Sequence, residues 1–171
     1  MHMDIPFNLG PRHGTDRLLA SRGIDLIGCA HDVWPVLRSL EAVYPGFGRW
    51  YWDKVVPGLA TGERGLFLIG PASSPKALAI AKRDSGERKV CTLWVKPSER
   101  SRGLGRRLLE EAVDWVGVGR PLFTVPQERY AELLPLTQKL GFRETARVES
   151  LYRPGIVEHI FNGSQTPTLS S

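Results

Sequence analysis

Short apolar runs alternate with amphipathic stretches along the chain, and this pattern predicts a mixed α/β domain. Strands are predicted at residues 24–29, 66–69, 76–82, 89–95, 122–125, 144–151 and 156–161. Helices are predicted at residues 31–44, within 49–59, directly after the glycines at 103–105, and in a segment that ends at Gly141. Because strands come first and then alternate with helices, the order indicates mixed α/β architecture without an internal repeat.

Proline, glycine and aspartate mark the expected ends of the helices. Asp32 is the predicted N-cap of the first helix, and Pro45 and Gly46 are expected to end it. Pro135 is expected to kink or restart the last helix. In the run 89–95 both faces are largely apolar, which predicts a central strand covered on both sides. Simple alternation assigns one face to Val90, Thr92 and Trp94 and the other to Cys91, Leu93 and Val95.

Length and composition fit a single globular domain. The chain has 171 residues, of which 42% are hydrophobic and 24% charged, and it contains no apolar run long enough to span a membrane. Residues 1–20 are expected to be a flexible segment, residues 21–162 to form the domain, and residues 163–171 to be a disordered tail. The N-terminus lacks the apolar core of a signal peptide, which favours a cytoplasmic location.

Cysteine spacing and net charge narrow the classes of partner. Cys29 and Cys91 stand far apart in apolar runs, so buried free thiols are expected rather than a disulfide or a metal pair. No spacing of His, Asp or Glu suggests a metal site. The balance of 23 basic and 18 acidic residues gives a net charge of +5, which permits a polyanionic partner without requiring one.

The stretch of residues 89–116 has its charges in an order that disfavours an isolated helix. Basic residues crowd the start of the predicted helix, and acidic residues follow toward its end: Lys96, Arg100, Arg102, Arg106 and Arg107, then Glu110, Glu111 and Asp114. Each charge placed against the helix dipole costs roughly 0.3–1 kcal/mol. An anion bound by the free N–H groups of the first turn would reverse this cost, so the segment predicts a site for a phosphate-bearing ligand.

Glycine spacing distinguishes this loop from two other phosphate-binding loops. The chain has no P-loop sequence, and a dinucleotide fingerprint fails because Leu108 replaces its third glycine. Residues 100–105, Arg-Ser-Arg-Gly-Leu-Gly, follow a predicted strand and open a helix. They match the acyl-CoA signature Gln/Arg-x-x-Gly-x-Gly/Ala, and here the chain resembles the GNAT acetyltransferase superfamily. Residues 139–143, Lys-Leu-Gly-Phe-Arg, resemble the family's second motif, and the resemblance covers roughly residues 66–161.

The resemblance implies an α/β fold with a mixed central sheet of about six to seven strands, flanked by helices. Strands 89–95 and 122–125 would form a splayed parallel pair, and the pantetheine arm of the cosubstrate acetyl-CoA would enter the gap between them. The N–H of Val95 would donate to the thioester carbonyl as a one-donor oxyanion site. The implied cofactor-binding residues are Leu93, Trp94 and Val95 on the strand and Arg100, Ser101, Arg102, Gly103, Leu104, Gly105 and Arg106 in the loop.

The implied activity is direct transfer of an acetyl group to a primary amine, but the residues for proton transfer depart from the family pattern. Many relatives carry a Tyr four residues before the glycine of the second motif, where this chain has Thr137, a much weaker acid. Tyr130 and Tyr152 are the alternative proton donors, although the motif aligns neither and the pattern favours an ordinary half-buried aromatic for each. Some relatives use a Glu as general base where this chain has Lys89. The remaining titratable candidates are Glu87, Glu158 and His159.

The acceptor side is implied only by the family's use of its first helical region. There Trp50, Trp52 and Asp53 are predicted to form an aromatic wall with a carboxylate for a cationic amine, or else to pack in the core. The acceptor would be a small-molecule or protein amine, and relatives often form homodimers. Two other functions stay open: an acyl-CoA-binding or regulatory module without turnover, and an acyltransferase whose acceptor amine is attached to nucleic acid, as in aminoacyl-tRNA.

Overall fold

The computed structural model describes residues 18–19 and 25–163. Seven strands form one sheet in the order β1-β2-β3-β4-β5-β7-β6. Their bounds are β1 Leu18–Leu19, β2 Arg64–Ile69, β3 Ala77–Arg83, β4 Arg88–Val95, β5 Leu122–Pro126, β6 Glu144–Glu149 and β7 Val157–Phe161. The pair β4 and β5 is parallel and the other neighbours are antiparallel. The predicted mixed α/β class with a central sheet is therefore confirmed.

Helices cover both faces of the sheet. They are α1 Leu26–Leu37, α2 Phe47–Trp50, α3 Val56–Thr61, α4 Leu104–Val116 and α5 Gln127–Lys139. A π-helical turn joins α2 to α3, and short 3-10 turns lie at Arg38–Ala42 and Pro97–Glu99. The helix predicted within 49–59 is confirmed.

Two hydrophobic clusters result, one on each face of the sheet. On one face α4 buries Leu108 and Leu109, and α5 buries Leu133, against Phe67 and Leu93. On the other face α1 to α3 bury Leu37, Tyr51 and Leu59 against Leu78 and Ile80. Each fully buried side chain of this size contributes roughly 1.5–3 kcal/mol by leaving water.

The start of the domain differs from the prediction. Residues 26–29, expected in a strand, form the first turn of α1, and the side chain of Asp25 rather than Asp32 caps it by accepting from the Gly28 N–H at 2.9 Å. The apolar run was too short to separate a strand from a buried helix by its pattern alone. Asp25 satisfies an N–H that the first turn would otherwise leave without a partner.

Two further boundaries also differ. β1 pairs with Ile69 and Leu68 of β2, so the segment expected to be flexible over residues 1–20 contributes its end to the sheet. The remainder of that segment and residues 164–171 of the expected tail lie outside the described residues. A kink or a restart was expected at Pro135, and α5 runs through it as a single helix, so no restart occurs there.

The alternation expected in β4 is broken by a β-bulge. Thr92 pairs with Ile80 and Val90 with Ala81, which leaves Cys91 as the extra residue. Val90 consequently lies on the same face as Leu93, while Cys91 lies with the opposite cluster. The predicted grouping of Val90 with Trp94 is therefore wrong, and both faces are nevertheless covered, as predicted.

Candidate active site

The loop between β4 and α4 brings backbone N–H groups to the start of a helix. Gly103 is the N-cap of α4 with φ +76°, a left-handed conformation that glycine adopts without a steric cost. Within the described residues no side chain caps this helix. The first intrahelical bond is donated by Arg107 to the Gly103 carbonyl at 3.1 Å, so the preceding N–H groups point out of the helix start. This arrangement suits an anion.

Four of the five basic side chains around this helix start are exposed, and Arg107 is half-buried. Arg102 contacts Glu99 at 3.1 Å, and Arg106 contacts Glu110 at 2.7 Å. Exposed pairs of this kind contribute little, because solvent screens them. The first turn contains no acidic residue, so the positive charge predicted from the sequence is present at this end.

The parallel pair β4 and β5 is splayed, as the resemblance implied. Among the described residues the two strands pair at Lys89 with Leu122 and at Val90 with Phe123, at the N-terminal end of the pair. Beyond Val90, β4 continues to Val95 along β3 alone. A gap therefore opens between the carboxyl ends of β4 and β5.

The backbone of β4 faces this gap at two of the three predicted strand positions. Lys96 N–H donates to the Lys76 carbonyl at 2.9 Å, so alternation assigns Trp94 to a hydrogen-bonded pair with β3. Leu93 and Val95 are then the residues whose N–H and C=O groups point away from β3. The Leu93 carbonyl confirms this direction, because it accepts a hydrogen bond from Arg129 Nη1 at 3.2 Å across the gap.

The start of α4 lies directly against this exposed strand edge. A Cβ atom placed on Gly105 would lie 3.4 Å from Cγ2 of Val95. The helix N-terminus and the unpaired end of β4 consequently form one continuous surface. A ligand with an extended arm and a negatively charged end can bind to both.

A group of charged and phenolic side chains lies mainly on the sheet face opposite α5, and Glu128 from the first turn of α5 joins it. We call it the Glu158 cluster, and it consists of Tyr44, Lys89, Glu128, Tyr152, Arg153 and Glu158. In β7, His159 packs against Tyr130 of α5, so the neighbouring Glu158 points to the other face. Lys89 Nζ donates to the Tyr152 hydroxyl at 3.0 Å, Arg153 Nη2 donates to Glu128, and the Arg153 guanidinium lies 5.1 Å from the centre of the Tyr44 ring.

Glu158 is the buried carboxyl group of this cluster. Its side chain is 1% exposed, and it contacts no hydrogen-bond donor through Oε1. Burial raises the pKa of Glu158 to about 7, against the opposing effect of the nearby Arg153 cation. Burial also raises the pKa of Tyr44, and the Glu158 carboxylate adds to that shift. A carboxyl group with a pKa near neutrality can exchange a proton at physiological pH.

The three predicted proton donors occupy different environments. Tyr152 belongs to the Glu158 cluster; its oxygen accepts from Lys89, which leaves its own proton available. Thr137 is buried in α5 and donates to the Leu134 carbonyl at 2.9 Å, so its proton is bound within its own helix. Tyr130 donates to Glu144 at 2.7 Å. Among the described residues, Tyr152 is the one of these three side chains that bonds to a member of the Glu158 cluster, Lys89.

Tyr130 is part of a polar group on the α5 face of the sheet. Its ring stacks on His159 at 3.8 Å, and the two nitrogens of that histidine contact Glu144 at 3.0 Å and Gln127 at 2.7 Å. A hydrogen bond from Arg147 is the main cause that lowers the pKa of Glu144 to about 2. His159 is 2% exposed, and its bonds on both sides tie β7 to β6 and α5.

The predicted acceptor residues are distributed between the core and the surface. Trp50 packs on Phe47 with ring centres 5.3 Å apart, and Trp52 meets Trp34 edge-on at 5.4 Å. Asp53 is exposed. From this helical region it is Tyr44 that reaches the Glu158 cluster. The sequence offered no motif for Tyr44 or Arg153, although a Glu within the apolar run of β7 was a detectable irregularity.

Both cysteines are free and half-buried. Burial is the main cause that raises the pKa of the Cys91 thiol, and Arg64 Nη1 lies 3.4 Å from its sulfur. A thiol with a raised pKa contains little of the nucleophilic thiolate at neutral pH. The described residues contain no group of His, Cys, Asp or Glu that could hold a metal ion, and none of their helices is long and apolar enough to cross a membrane.

Comparison with known proteins identifies the family. Residues 38–142 match the profile of the Acetyltransferase (GNAT) family, which is more than half of the chain. The chain belongs to the GNAT acetyltransferase family. The match includes the β4–α4 loop and extends to Phe142 of the second motif. A comparison with curated proteins found no match.

Solved acetyltransferase structures share this fold at low sequence identity. A proposed GNAT acetyltransferase from Desulfovibrio desulfuricans is 20% identical with a TM-score of 0.64, covering 85% of this chain and 97% of its own. YncA from Salmonella typhimurium, a proposed acetyltransferase solved with its cofactor acetyl-CoA, is 14% identical with a TM-score of 0.60, covering 89% and 98%. The ribosomal-protein-S18-alanine N-acetyltransferase from Escherichia coli is 19% identical with a TM-score of 0.55, covering 89% and 100%.

Proposed function

We propose that this GNAT protein is an acetyl-CoA-dependent N-acetyltransferase that transfers the acetyl group directly to a primary amine. The observation that most supports this proposal is the unpaired edge of β4, which leads from Leu93 and Val95 into the uncapped start of α4. An extended pantetheine arm and a pyrophosphate match these two features in shape and charge. The acetyl-CoA bound to YncA, which has the same fold, supports the choice of cosubstrate.

Each part of the surface has a role in this proposal. The backbone groups of Leu93 and Val95 pair with the pantetheine amides, and the Val95 N–H donates to the thioester carbonyl. The N–H groups of residues 100–106 bind the pyrophosphate, assisted by the exposed guanidinium groups. Binding the two ends of the cosubstrate fixes the thioester beside β4, and such positioning lowers the activation barrier by several kcal/mol.

Glu158 and Tyr152 are the proposed groups for proton transfer. Glu158 takes a proton from the ammonium form of the acceptor, and the neutral nitrogen attacks the thioester carbon. The C–N bond forms as the C–S bond breaks, Tyr152 donates a proton to the CoA thiolate, and the resulting tyrosinate takes the second proton from the amide nitrogen. Some relatives carry a Glu as general base at the position where this chain has Lys89. In this proposal Glu158 of β7 takes that role, and Lys89 lies in the same cluster.

Direct transfer fits this site better than an acyl-cysteine intermediate. Cys91 lies on β4, but burial raises its pKa and favours the unreactive thiol. We therefore expect acetyl-CoA and the amine to be bound together, without a covalent acetyl-enzyme.

A CoA-release assay over a panel of primary amines tests the proposed function. We expect acetyl-CoA-dependent CoA release with at least one amine, and loss of release in Gly103→Glu, whose side chain adds bulk and negative charge at the helix start. Tight binding of acetyl-CoA without turnover over a panel of small amines, peptide N-termini, lysines and aminoacyl-tRNA would instead support a binding or regulatory module. Turnover restricted to aminoacyl-tRNA would identify an acceptor attached to nucleic acid.

A further inference from the structure

Two buried polar atoms in the Glu158 cluster lack hydrogen-bond partners. Across the described residues, the buried side-chain nitrogen and oxygen atoms in this condition are Arg153 Nε and Glu158 Oε1. A buried polar atom without a partner costs free energy, so such atoms are rare in native proteins. That the pair occurs within one cluster indicates that a ligand satisfies both atoms.

The two atoms have opposite hydrogen-bonding requirements. Arg153 Nε carries an N–H that can only donate, and Glu158 Oε1 is an oxygen that can accept. Arg153 is already held by its bond to Glu128 and by the face of Tyr44. Its Nε–H is therefore fixed in direction, as a binding group must be.

Exposure decreases steadily from the mouth of the cluster to its floor. The side chain of Glu128 is 48% exposed and Tyr152 is 37% exposed, whereas the side chain of Arg153 is 15% exposed and Glu158 is 1% exposed. A small polar group that enters past Glu128 and Tyr152 would meet Arg153 first and Glu158 at the bottom.

The charge of the cluster argues against a polyamine. Lys89 and Arg153 contribute two positive charges, Glu128 one negative charge, and Glu158 one negative charge or none. The sum is zero or +1, so the cluster has no surplus negative charge for a second ammonium group. An oxygen acceptor beside the amine fits this balance better.

We propose that the acceptor is an α-amino carbonyl compound, in which the amine bonds to Glu158 and the neighbouring carbonyl or carboxylate oxygen accepts from Arg153 Nε. This assignment rests on the proposed acetyl transfer and narrows its substrate class. A plain alkylamine would satisfy Glu158 alone and leave the Arg153 N–H buried without a partner. Sites built to hydrogen-bond a substrate group discriminate strongly against analogues that lack it.

The test compares alaninamide, alanine and isopropylamine as acceptors for wild type, Arg153→Lys and Arg153→Met. Arg153→Lys keeps the positive charge beside Glu128 but removes the Nε donor, and Arg153→Met removes both the charge and the donor. Arg120→Met, at an exposed arginine, is the matched control. Comparing the ratio of kcat/KM for alaninamide to isopropylamine between variants cancels the intrinsic basicity of each amine. Thermal melting establishes that each variant is folded.

We expect the ratio of kcat/KM to fall by about tenfold or more in both Arg153 variants. Arg153→Met also removes a cation that lowers the pKa of Glu158, and the ratio cancels the part of that change that is common to both amines. The Arg120 control should keep the wild-type ratio. Preference for alanine over alaninamide would indicate a free amino acid as the source of the group, and the reverse a peptide N-terminus; either supports the assignment. An unchanged ratio in folded Arg153 variants would overturn it.

Calorimetric binding of the same three amines to the CoA complex separates this inference from the proposed function. Weaker binding of alaninamide to Arg153→Lys than to wild type, without CoA release in either, would contradict the proposed transfer and support the amine site. CoA release that is insensitive to Arg153 would support the transfer and contradict the α-amino carbonyl assignment.

Discussion

At the scale of single residues, Glu158 links the stability of the protein to its proposed activity. It is 1% exposed, and burial raises its pKa from 4.5 to about 7. The protonated form is thus favoured in the folded state over the unfolded state. The protonated carboxyl group therefore contributes fully to the free energy of unfolding below pH 4.5. This contribution is lost as pH rises from 4.5 through about 7, because Glu158 then ionises inside the folded protein.

The Glu158→Gln variant should be more stable than wild type at pH 8 and nearly equal to it at pH 4.5. Glutamine cannot ionise, so the variant avoids the cost of a buried charge, which amounts to at most about 3 kcal/mol. Chemical unfolding from pH 4.5 to 8 measures the difference in unfolding free energy. A difference that does not change over this range would show that Glu158 does not titrate with a raised pKa.

The same substitution should lower kcat by roughly 10²- to 10⁴-fold, the usual contribution of a general base. In wild type, kcat/KM should rise with pH up to about 7 as Glu158 ionises, and this limb should disappear in Glu158→Gln. The groups that face Glu158 from neighbouring elements are Arg153, Glu128, Lys89 and Tyr44. The matched control is Glu149→Gln, an exposed carboxylate on β6. Wild-type activity in Glu158→Gln would exclude it as the base.

At the scale of elements, α4 offers two glycines with nearly the same backbone conformation and different proposed roles. Gly103 begins the helix with φ +76° and Gly117 ends it with φ +80°, and a Cβ would meet no atom within 4 Å at either position. Alanine should therefore cost a similar roughly 1–2 kcal/mol of stability at both sites, through left-handed backbone strain.

We expect Gly103→Ala to weaken acetyl-CoA binding and Gly117→Ala to leave it unchanged. Added bulk at Gly103 lies where the pyrophosphate approaches, whereas Gly117 lies at the far end of α4. Calorimetric titration with acetyl-CoA and thermal melting of both variants measure the two effects separately. Equal loss of affinity in both would mean that helix destabilisation, not a phosphate site, explains the result.

Arg129 of α5 bonds to the Leu93 carbonyl, which the pantetheine arm is proposed to use as a hydrogen-bond acceptor. Its Nη1 donates to the Leu93 carbonyl at 3.2 Å, and its Nη2 pairs with Glu132 at 3.2 Å. Arg129→Met should raise the association rate of acetyl-CoA roughly three- to tenfold, because one competing bond no longer has to break. Stopped-flow binding measures this rate, with the exposed Arg143→Met as a control for lost charge. Slower, salt-sensitive binding would show that Arg129 instead attracts the phosphates.

Local motifs predicted some elements well and could not predict others. The strand, loop and helix from residue 89 to 116 were predictable, because glycine spacing and helical periodicity lie within one short stretch. The assignment of residues 26–29 to a strand was wrong. The apolar run fits either a strand or a helix, and the cap at Asp25 starts a helix there. The bulge at Cys91 depends on pairing with β3, to which no local pattern in β4 points.

At the scale of the whole molecule, the splayed sheet brings together residues that are distant in sequence. Tyr44, Lys89, Arg153 and Glu158 meet because β7 pairs between β5 and β6 and because the first helical region covers the same face. Such a cluster cannot be predicted from spacing along the chain. The loop and helix start that are proposed to bind the cofactor were predictable from one motif, whereas the proposed acceptor side required the assembled fold.

The measurement that tests the account most directly is a two-substrate initial-rate study of CoA release. Acetyl-CoA and an accepted amine are varied together, and intact-protein mass spectrometry follows the enzyme incubated with acetyl-CoA alone. Direct transfer within one complex predicts intersecting reciprocal plots and an unmodified protein mass. Parallel plots, together with an acetyl group trapped on Cys91, would contradict it.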